Sequence, residues 1–369
     1  MEVPLLRSRR SRALTAALAV ALVSVLGAGV GSGSTLPGAD GLLGVGPAAA
    51  APMWPVPAPF PATGSPPDSL VGLPPGSEYV ALGDSYSAGY GLPDPTGLPT
   101  AVCGQSARDY PHRIAARYGL DLHDVTCGGA TSRDVVSGYQ FKGVPPQIRA
   151  LSDRTRLVTL SIGGNDAGLF STAASCLALS ADGPVFSGRD APSCRSQLVH
   201  DGVDELGDTI RSEVSIGIAD TLARVRAAAP NAVVVLVGYP AIFPDAEHTP
   251  KGGCFRPTLD LGTLAGRFPT DTYPFTDTDV RFLHGVQADL DAVSATAARA
   301  AGVSYVDAFA STQARTACAT SRPYVEGVTL EGSRNLSRID LVAGALHPNE
   351  RGVAYLTRRV AAELQGVAG

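Results

Sequence analysis

Residues 79–89 have the sequence Tyr79-Val80-Ala81-Leu82-Gly83-Asp84-Ser85-Tyr86-Ser87-Ala88-Gly89. The apolar run Tyr79–Leu82 predicts a short buried strand, and Gly83 permits a tight turn directly after it. Asp84 can accept hydrogen bonds from nearby backbone amides and close that turn. Ser85 would then lie at the carboxyl end of a strand, where open α/β sheets bind ligands and a serine can act as a nucleophile.

Four further apolar runs follow the first, and helix-like segments separate them. Strands that are apolar throughout and alternate with helices predict a parallel sheet covered on both faces. We therefore expect one three-layer α/β/α domain with a five-stranded parallel sheet. The predicted strands are Tyr79–Leu82, Leu120–Thr126, Leu157–Ile162, Ala232–Val237 and Val303–Val306. The predicted helices are Ala107–Tyr118, Pro145–Ser152, Val203–Ala229, Asp279–Ala301 and Glu350–Leu364.

Two segments precede this domain, which we place at residues 77–369. Residues 1–51 are typical of a signal peptide, with early arginines, the apolar run Ala13–Leu26 and a small-residue end. An uncleaved membrane anchor is the alternative, because the apolar run approaches the ~18 residues of a spanning helix. Residues 52–76 contain nine prolines and predict an extended arm or linker.

The overall composition is that of a globular protein with an ample core. The chain has 369 residues, 44% of them hydrophobic, and a net charge of −5. Because the balance is mildly acidic and no long basic run follows the first dozen residues, we expect no nucleic-acid partner. We expect a monomer that acts on a small-molecule or lipid substrate, with transient contact to a lipid surface.

Six cysteines lie in the predicted exported part: Cys103, Cys127, Cys176, Cys194, Cys254 and Cys318. An even number behind an export signal predicts three disulfides, although the residues alone do not select a pairing. The sequence contains neither a Cys-x-x-Cys pair nor a Cys/His cluster. We therefore expect no metal ion and no cofactor.

Groups suited to acyl transfer lie where the predicted strands end. Ser85 follows the first strand, Gly128–Thr131 the second and Gly163–Asp166 the third, while His347 precedes the last helix. The carboxyl ends of parallel strands share one edge of a sheet, so these residues should meet there. A serine nucleophile needs a base such as histidine, and glycine amides and asparagine can stabilise an oxyanion.

These motifs resemble the four blocks of the SGNH, or GDSL-type, hydrolases. The matching residues are Gly83-Asp84-Ser85, Gly129, Gly163-Gly164-Asn165-Asp166 and His347-Pro348. The segments at 79–86 and 160–168 are most similar to those of the secreted actinomycete lipases and esterases in that superfamily. The resemblance covers the chain from about Tyr79 onward and implies a flavodoxin-like sheet.

The resemblance also implies a role for each site residue. Ser85 would be the nucleophile and His347 the base. The Ser85 N–H, the Gly129 N–H and the Asn165 side chain would form the oxyanion hole. The secreted relatives pair their cysteines in sequence order, which implies Cys103–Cys127, Cys176–Cys194 and Cys254–Cys318, the first of them holding the Gly129 loop.

One position departs from the family pattern. The family has an aspartate three residues before the histidine, and this chain has Gly344 there. We therefore expect a Ser-His dyad in which the backbone carbonyl of Gly344 orients the imidazole of His347. Asp340 is the alternative, as a carboxylate partner of the histidine.

The sequence as a whole predicts a secreted serine esterase or lipase that cleaves carboxylic esters through an acyl-Ser85 intermediate. A carbohydrate O-deacetylase that uses the same site is one alternative. Sugar stacking needs exposed aromatic rings, and the single tryptophan, Trp54, lies in the predicted arm. A non-catalytic binding module with the same fold is the other alternative.

Overall fold

The computed structural model describes residues 72–186, 191–260, 262–263, 267–332 and 339–367. The predicted signal peptide and most of the predicted proline-rich arm lie outside the described residues. Their boundaries therefore stay predictions.

The strands of the central sheet lie close to their predicted positions. In chain order the strands are β1 Glu78–Gly83, β2 Asp121–Asp124, β3 Leu157–Ser161, β4 Val199–His200, β5 Val203–Asp204, β6 Val233–Val237, β7 Ser304–Val306, β8 Leu330–Gly332 and β9 Ile339–Leu341. Five of them form a parallel sheet in the order β2-β1-β3-β6-β7, and β4-β5 and β8-β9 are small antiparallel pairs. The predicted α/β fold is confirmed.

Helices fill the connections between these strands. They are α1 Ser85–Ala88, α2 Tyr110–Tyr118, α3 Ser132–Val136, α4 Leu169–Ser175, α5 Arg195–Leu198, α6 Glu205–Thr209, α7 Ser215–Ala228, α8 Asp277–Ala301 and α9 Glu350–Val367. The π-helical segment Ile210–Val214 joins α6 to α7. Short 3-10 turns form at Ala101–Cys103, Gln147–Ala150 and Ala310–Arg315.

Two predicted helices differ from the structure. The segment Pro145–Ser152 forms only the 3-10 turn Gln147–Ala150, because two prolines at its start remove backbone donors and Pro146 has an extended ψ of 133°. The segment Val203–Ala229 begins as strand β5, and its first helical turn starts after Asp204. The Asp204 side chain accepts a hydrogen bond from the Gly207 amide and so caps the helix there.

Both faces of the sheet are buried. Alternate residues of β1 point to opposite faces, as a strand requires. On one face Val80 and Leu82 belong to a core that includes α7 and α8, and on the other Tyr79 and Ala81 belong to one that includes α2 and α9. Because helices cover both faces, only the edges and the strand ends of this sheet are open to a ligand.

Three disulfides join all six cysteines, in the pairing that the family resemblance implied. They are Cys103–Cys127, Cys176–Cys194 and Cys254–Cys318. The second and third lie in a separate apolar cluster beneath the long connections between strands. Among the described helices, none is both long and apolar enough to span a membrane.

Candidate active site

The turn after β1 holds Ser85 in one position. Gly83 has φ +130°, and a side chain at this position would approach the Ser161 carbonyl oxygen to 2.5 Å. The buried side chain of Gln147 accepts from the Gly83 amide at 2.7 Å and donates to the Gly83 carbonyl at 2.9 Å. Asp84 then caps α1 by accepting from the Tyr86 amide at 3.0 Å. These bonds fix the backbone that carries the Ser85 hydroxyl.

Ser85 and His347 meet at the carboxyl edge of the sheet, although 262 residues separate them. Nε2 of His347 lies 2.8 Å from Oγ of Ser85. Ser85 is 9% exposed and His347 is 4% exposed. This distance lets the imidazole accept the hydroxyl proton, which is the geometry that a serine nucleophile and its base require.

The other ring nitrogen of His347 contacts a backbone carbonyl, but not the one that the sequence predicted. Nδ1 lies 2.8 Å from the carbonyl oxygen of Ala345. The prediction that Gly344 supplies this carbonyl is wrong, because the Gly344 oxygen accepts the backbone amide of His347 at 3.0 Å in a tight turn. Ala345, rather than the carboxylate of Asp340, therefore orients the ring.

A buried tyrosine holds the loop that carries the histidine. The hydroxyl of Tyr86 donates to the carbonyl of Leu346 at 2.6 Å. Leu346 has φ +61°, a left-handed conformation that costs a residue with a side chain about 1 kcal/mol or more. The Tyr86 bond offsets part of this cost, and the sequence analysis did not identify this role.

Aromatic rings surround the imidazole of His347. The ring centroids of Tyr86, Tyr90 and Phe170 lie 5.1, 5.3 and 5.3 Å from its own. Burial lowers the pKa of His347 to about 4, although the hydrogen bond to the Ala345 carbonyl opposes that change. The ring is therefore neutral near pH 7 and can accept a proton.

Besides Ser85, which follows β1, the predicted oxyanion-hole residues lie on the two loops that follow β2 and β3. The Cys127 amide donates to the Gly83 carbonyl at 3.0 Å, which brings the Gly129 loop beside the Ser85 turn. Asn165 lines the cleft next to Ser85. One hydrogen of its side-chain amide is donated to the Ala130 carbonyl at 3.1 Å, which leaves the second for a substrate oxygen.

Asp166 stabilises the Asn165 loop by accepting hydrogen bonds from the first residue of α3. Both of its carboxylate oxygens accept from the Ser132 amide, each at 3.1 Å. Burial raises the pKa of Asp166, while the bonds from Ser132 lower it. These contacts join the Asn165 loop to the start of α3 and so brace it.

Tyr239 connects the Ser85 turn to the Asn165 loop. Its hydroxyl donates to Oδ2 of Asp84 at 2.6 Å and accepts from the Gly164 amide at 3.1 Å. Burial raises the pKa of Asp84 to about 7, and the bond from Tyr239 opposes the rise. The sequence analysis missed Tyr239, although its position directly after β6 places it at the same sheet edge as the other site residues.

A cleft that is partly open to solvent, with about 60 Å³ of accessible space, extends from Ser85 and His347. Its walls are mostly apolar, formed by Leu169, Phe170, Ala173, Ile242, Phe243, Leu283, Leu290 and Leu346. Gln287 is a polar wall residue, and it bonds to the Ile242 amide at 3.0 Å and the Pro240 carbonyl at 2.8 Å. Because its carbonyl oxygen and one amide hydrogen are bonded within the wall and most of its neighbours are apolar, the wall suits a hydrocarbon chain.

A serine hydroxyl next to a neutral histidine, at the carboxyl edge of a parallel α/β sheet, is the arrangement that serine hydrolases use. Residues 81–355 match the sequence model of the GDSL-like Lipase/Acylhydrolase family. The chain belongs to this family and is a carboxylic ester hydrolase of the lipase/esterase type.

Relatives of the chain carry lipase and esterase names. Lipase 2 of Streptomyces coelicolor is 39% identical over 232 residues, which are 62% of this chain and 69% of that protein. An esterase of Streptomyces scabiei is 29% identical over 307 residues, 78% of this chain and 86% of that protein. Phospholipase A1 from Streptomyces albidoflavus has a similar crystal structure, with a TM-score of 0.56 at 25% identity, over 78% of this chain and 99% of that chain.

Proposed function

We propose that this protein is a secreted esterase or lipase that hydrolyses lipid acyl esters with a Ser85-His347 dyad. The observation that carries the proposal is the 2.8 Å contact between Ser85 Oγ and His347 Nε2 at the head of an apolar cleft. In the first step His347 takes the hydroxyl proton while Oγ attacks the ester carbonyl carbon. His347 then protonates the departing alcohol. In the second step His347 takes a proton from water, the water oxygen attacks the acyl carbon, and the Ser85 oxygen leaves and regains its proton from His347.

The tetrahedral intermediate carries a negative oxygen that needs fixed donors. We assign these to the Ser85 amide, the Gly129 amide and the free hydrogen of the Asn165 side chain. Gly129 has φ +79°, which glycine adopts without strain. Each such donor contributes roughly 3–4 kcal/mol of transition-state stabilisation.

The cleft favours an acyl chain over a sugar. Its walls are mostly leucine, isoleucine, alanine and phenylalanine side chains, which offer apolar contact to a hydrocarbon chain. Phe170, at 37% exposure, belongs both to this wall and to the group of rings around His347. Its exposed edge is the part of the wall that would contact a lipid surface when the ester enters.

Export is supported by the cysteines as well as by the predicted signal peptide. All six are joined in disulfides, which form and persist in oxidising surroundings outside the cytoplasm. We propose that the protein acts outside the cell as a monomer.

The test is hydrolysis of p-nitrophenyl esters from acetyl to palmitoyl by the wild type and by Ser85→Ala. We expect activity on long as well as short chains, and a loss of about 10⁴-fold or more in Ser85→Ala. Ser87→Ala is the matched control, because the Ser87 hydroxyl lies 3.0 Å from Tyr110 instead of the histidine. Retained activity in Ser85→Ala would overturn the proposed nucleophile, and acetyl-only activity would overturn the lipid substrate.

A further inference from the structure

We propose that Asp109, His112 and Asp124 form a binding site for a divalent zinc ion, separate from the catalytic dyad. Asp109 and His112 lie at the start of α2, and Asp124 is the last residue of β2. One ligand atom from each residue lies within 4.8 Å of the others. Nδ1 of His112 lies 2.8 Å from Oδ1 of Asp109 and 3.4 Å from Oδ2 of Asp124.

Two carboxylate oxygens in this cluster lack a hydrogen-bond partner. Oδ2 of Asp109 and Oδ2 of Asp124 are both buried, and neither has a donor. The side chains of Asp109 and Asp124 are 0% and 5% exposed. A buried polar atom without a partner is costly, and a cation bound between these two oxygens and the imidazole would remove that cost.

The remaining oxygens of the two carboxylates are already occupied, which fixes their orientation. Oδ1 of Asp109 accepts from the His112 amide at 2.8 Å and is hydrogen-bonded to Nδ1 of the same residue at 2.8 Å, where the ion would replace the ring proton. Oδ1 of Asp124 accepts from the Thr126 amide at 3.0 Å and its hydroxyl at 2.6 Å. Such secondary bonds hold metal ligands in position.

The combination of one imidazole and two carboxylates favours some divalent ions over others. Calcium and magnesium prefer shells made of oxygen ligands only, whereas one imidazole with two carboxylates is a combination that zinc accepts. The His112 side chain is 21% exposed, which gives an ion and a completing water a route from solvent.

A metal ion here would join the start of α2 to the end of β2. Asp124 lies three residues before Cys127, and the segment continues into the loop with Gly129. The Gln105 side chain lies against the same segment, donating to the Asp124 carbonyl at 3.3 Å. The ion would therefore stabilise the fold next to the proposed oxyanion hole without touching the substrate.

The proton is the competing occupant of the pocket. Burial raises the pKa of Asp109 to about 8, and a proton shared between the two carboxyl groups would also relieve their repulsion. The two occupants are distinguished by measuring zinc directly.

The experiment uses the full chain without a histidine tag, stripped with EDTA and dialysed into metal-free buffer. Zinc chloride and calcium chloride are titrated separately by calorimetry, and bound zinc is counted by elemental analysis. We expect one zinc ion per chain, a higher melting temperature in zinc and no calcium binding. Absence of stoichiometric zinc, or a preference for calcium, would overturn the proposal.

Three variants locate the site. His112→Ala and the isosteric Asp124→Asn should weaken zinc binding at least about tenfold. His248→Ala is the matched control, because Asp245 and His248 form a second Asp-x-x-His pair, 2.7 Å apart, outside the proposed site. Circular dichroism checks that each variant is folded. Zinc binding that survives in both site variants, or that is lost in His248→Ala, would contradict the assignment.

Discussion

The carbonyl oxygen of Ala345 lies 2.8 Å from Nδ1 of His347, the position that a carboxylate occupies in a Ser-His-Asp triad. A carbonyl fixes the tautomer that leaves Nε2 free to accept a proton. It carries no full charge, however, and stabilises the imidazolium less than a carboxylate does. Burial, opposed by the Ala345 hydrogen bond, therefore sets the basicity of this histidine.

The first prediction separates the dyad from a triad. Asp340→Asn should retain most of the esterase activity, because Nδ1 of His347 is already bonded to Ala345. His347→Ala should lose about 10⁴-fold or more in kcat. Both are measured with a p-nitrophenyl ester, and a loss in Asp340→Asn comparable to that in His347→Ala would restore the aspartate as a catalytic partner.

The second prediction concerns pH. The base must be neutral, and burial lowers the pKa of His347 from 6.5 to about 4. Protonation, and with it the loss of kcat/KM, should therefore begin only as the pH falls toward 4.

The measurement follows kcat/KM between about pH 3 and pH 9. Asp84→Asn is compared with the wild type, since burial raises the pKa of Asp84 to about 7. A change in kcat/KM near pH 7 that the wild type shows and Asp84→Asn lacks is caused by the titration of Asp84. An acid midpoint near 6.5 in both proteins would contradict the lowered pKa of His347.

The third prediction tests Tyr239 as a positioning residue. Tyr239→Phe removes the hydroxyl that connects Asp84 to Gly164 and leaves a buried carboxylate oxygen with one donor fewer, at a cost of about 2 kcal/mol. We expect kcat to fall about tenfold while KM changes little, because the Ser85 turn and the Asn165 loop lose their common support.

Tyr305→Phe is the control for this change. Tyr305 lies on the edge strand β7, and its hydroxyl donates to Asp291 at 2.5 Å. This is another tyrosine-aspartate hydrogen bond, and it lies outside the site. This variant should lose stability but keep its kcat. Equal effects of the two substitutions on kcat would show that Tyr239 acts only through stability.

The fourth prediction concerns acyl chain length. Ala173 is buried in α4 and forms part of the cleft wall. Ala173→Leu adds bulk there, so kcat/KM for a palmitoyl ester should fall about tenfold while that for the acetyl ester is unchanged. Ala300→Leu, on the exposed side of α8, should change neither value. An equal loss on both esters would indicate general disruption rather than a chain-binding cleft.

Much of the fold was predictable because its signals are local. The apolar runs of β1 and β3 end in Gly83 and Gly163, and both glycines have a positive φ that marks a turn. Parallel strands place such ends on one edge, so Ser85 and His347 could be expected to meet. The helix predicted at residues 145–152 does not form. Helix propensity summed over a short stretch does not show how two prolines redirect the chain.

By itself the sequence determined the sheet, the strand ends that carry the chemistry and, through its family motifs, the disulfide pairing. Only the tertiary structure decided which carbonyl orients His347, that Tyr86 and Tyr239 support the site, and that Asp109, His112 and Asp124 converge. The physical reason is that these contacts join backbone atoms and side chains from different elements, such as Tyr239 and Asp84, 155 residues apart. The distances between these atoms depend on how the helices and the sheet pack together. The spacing of residues along the chain does not predict that packing.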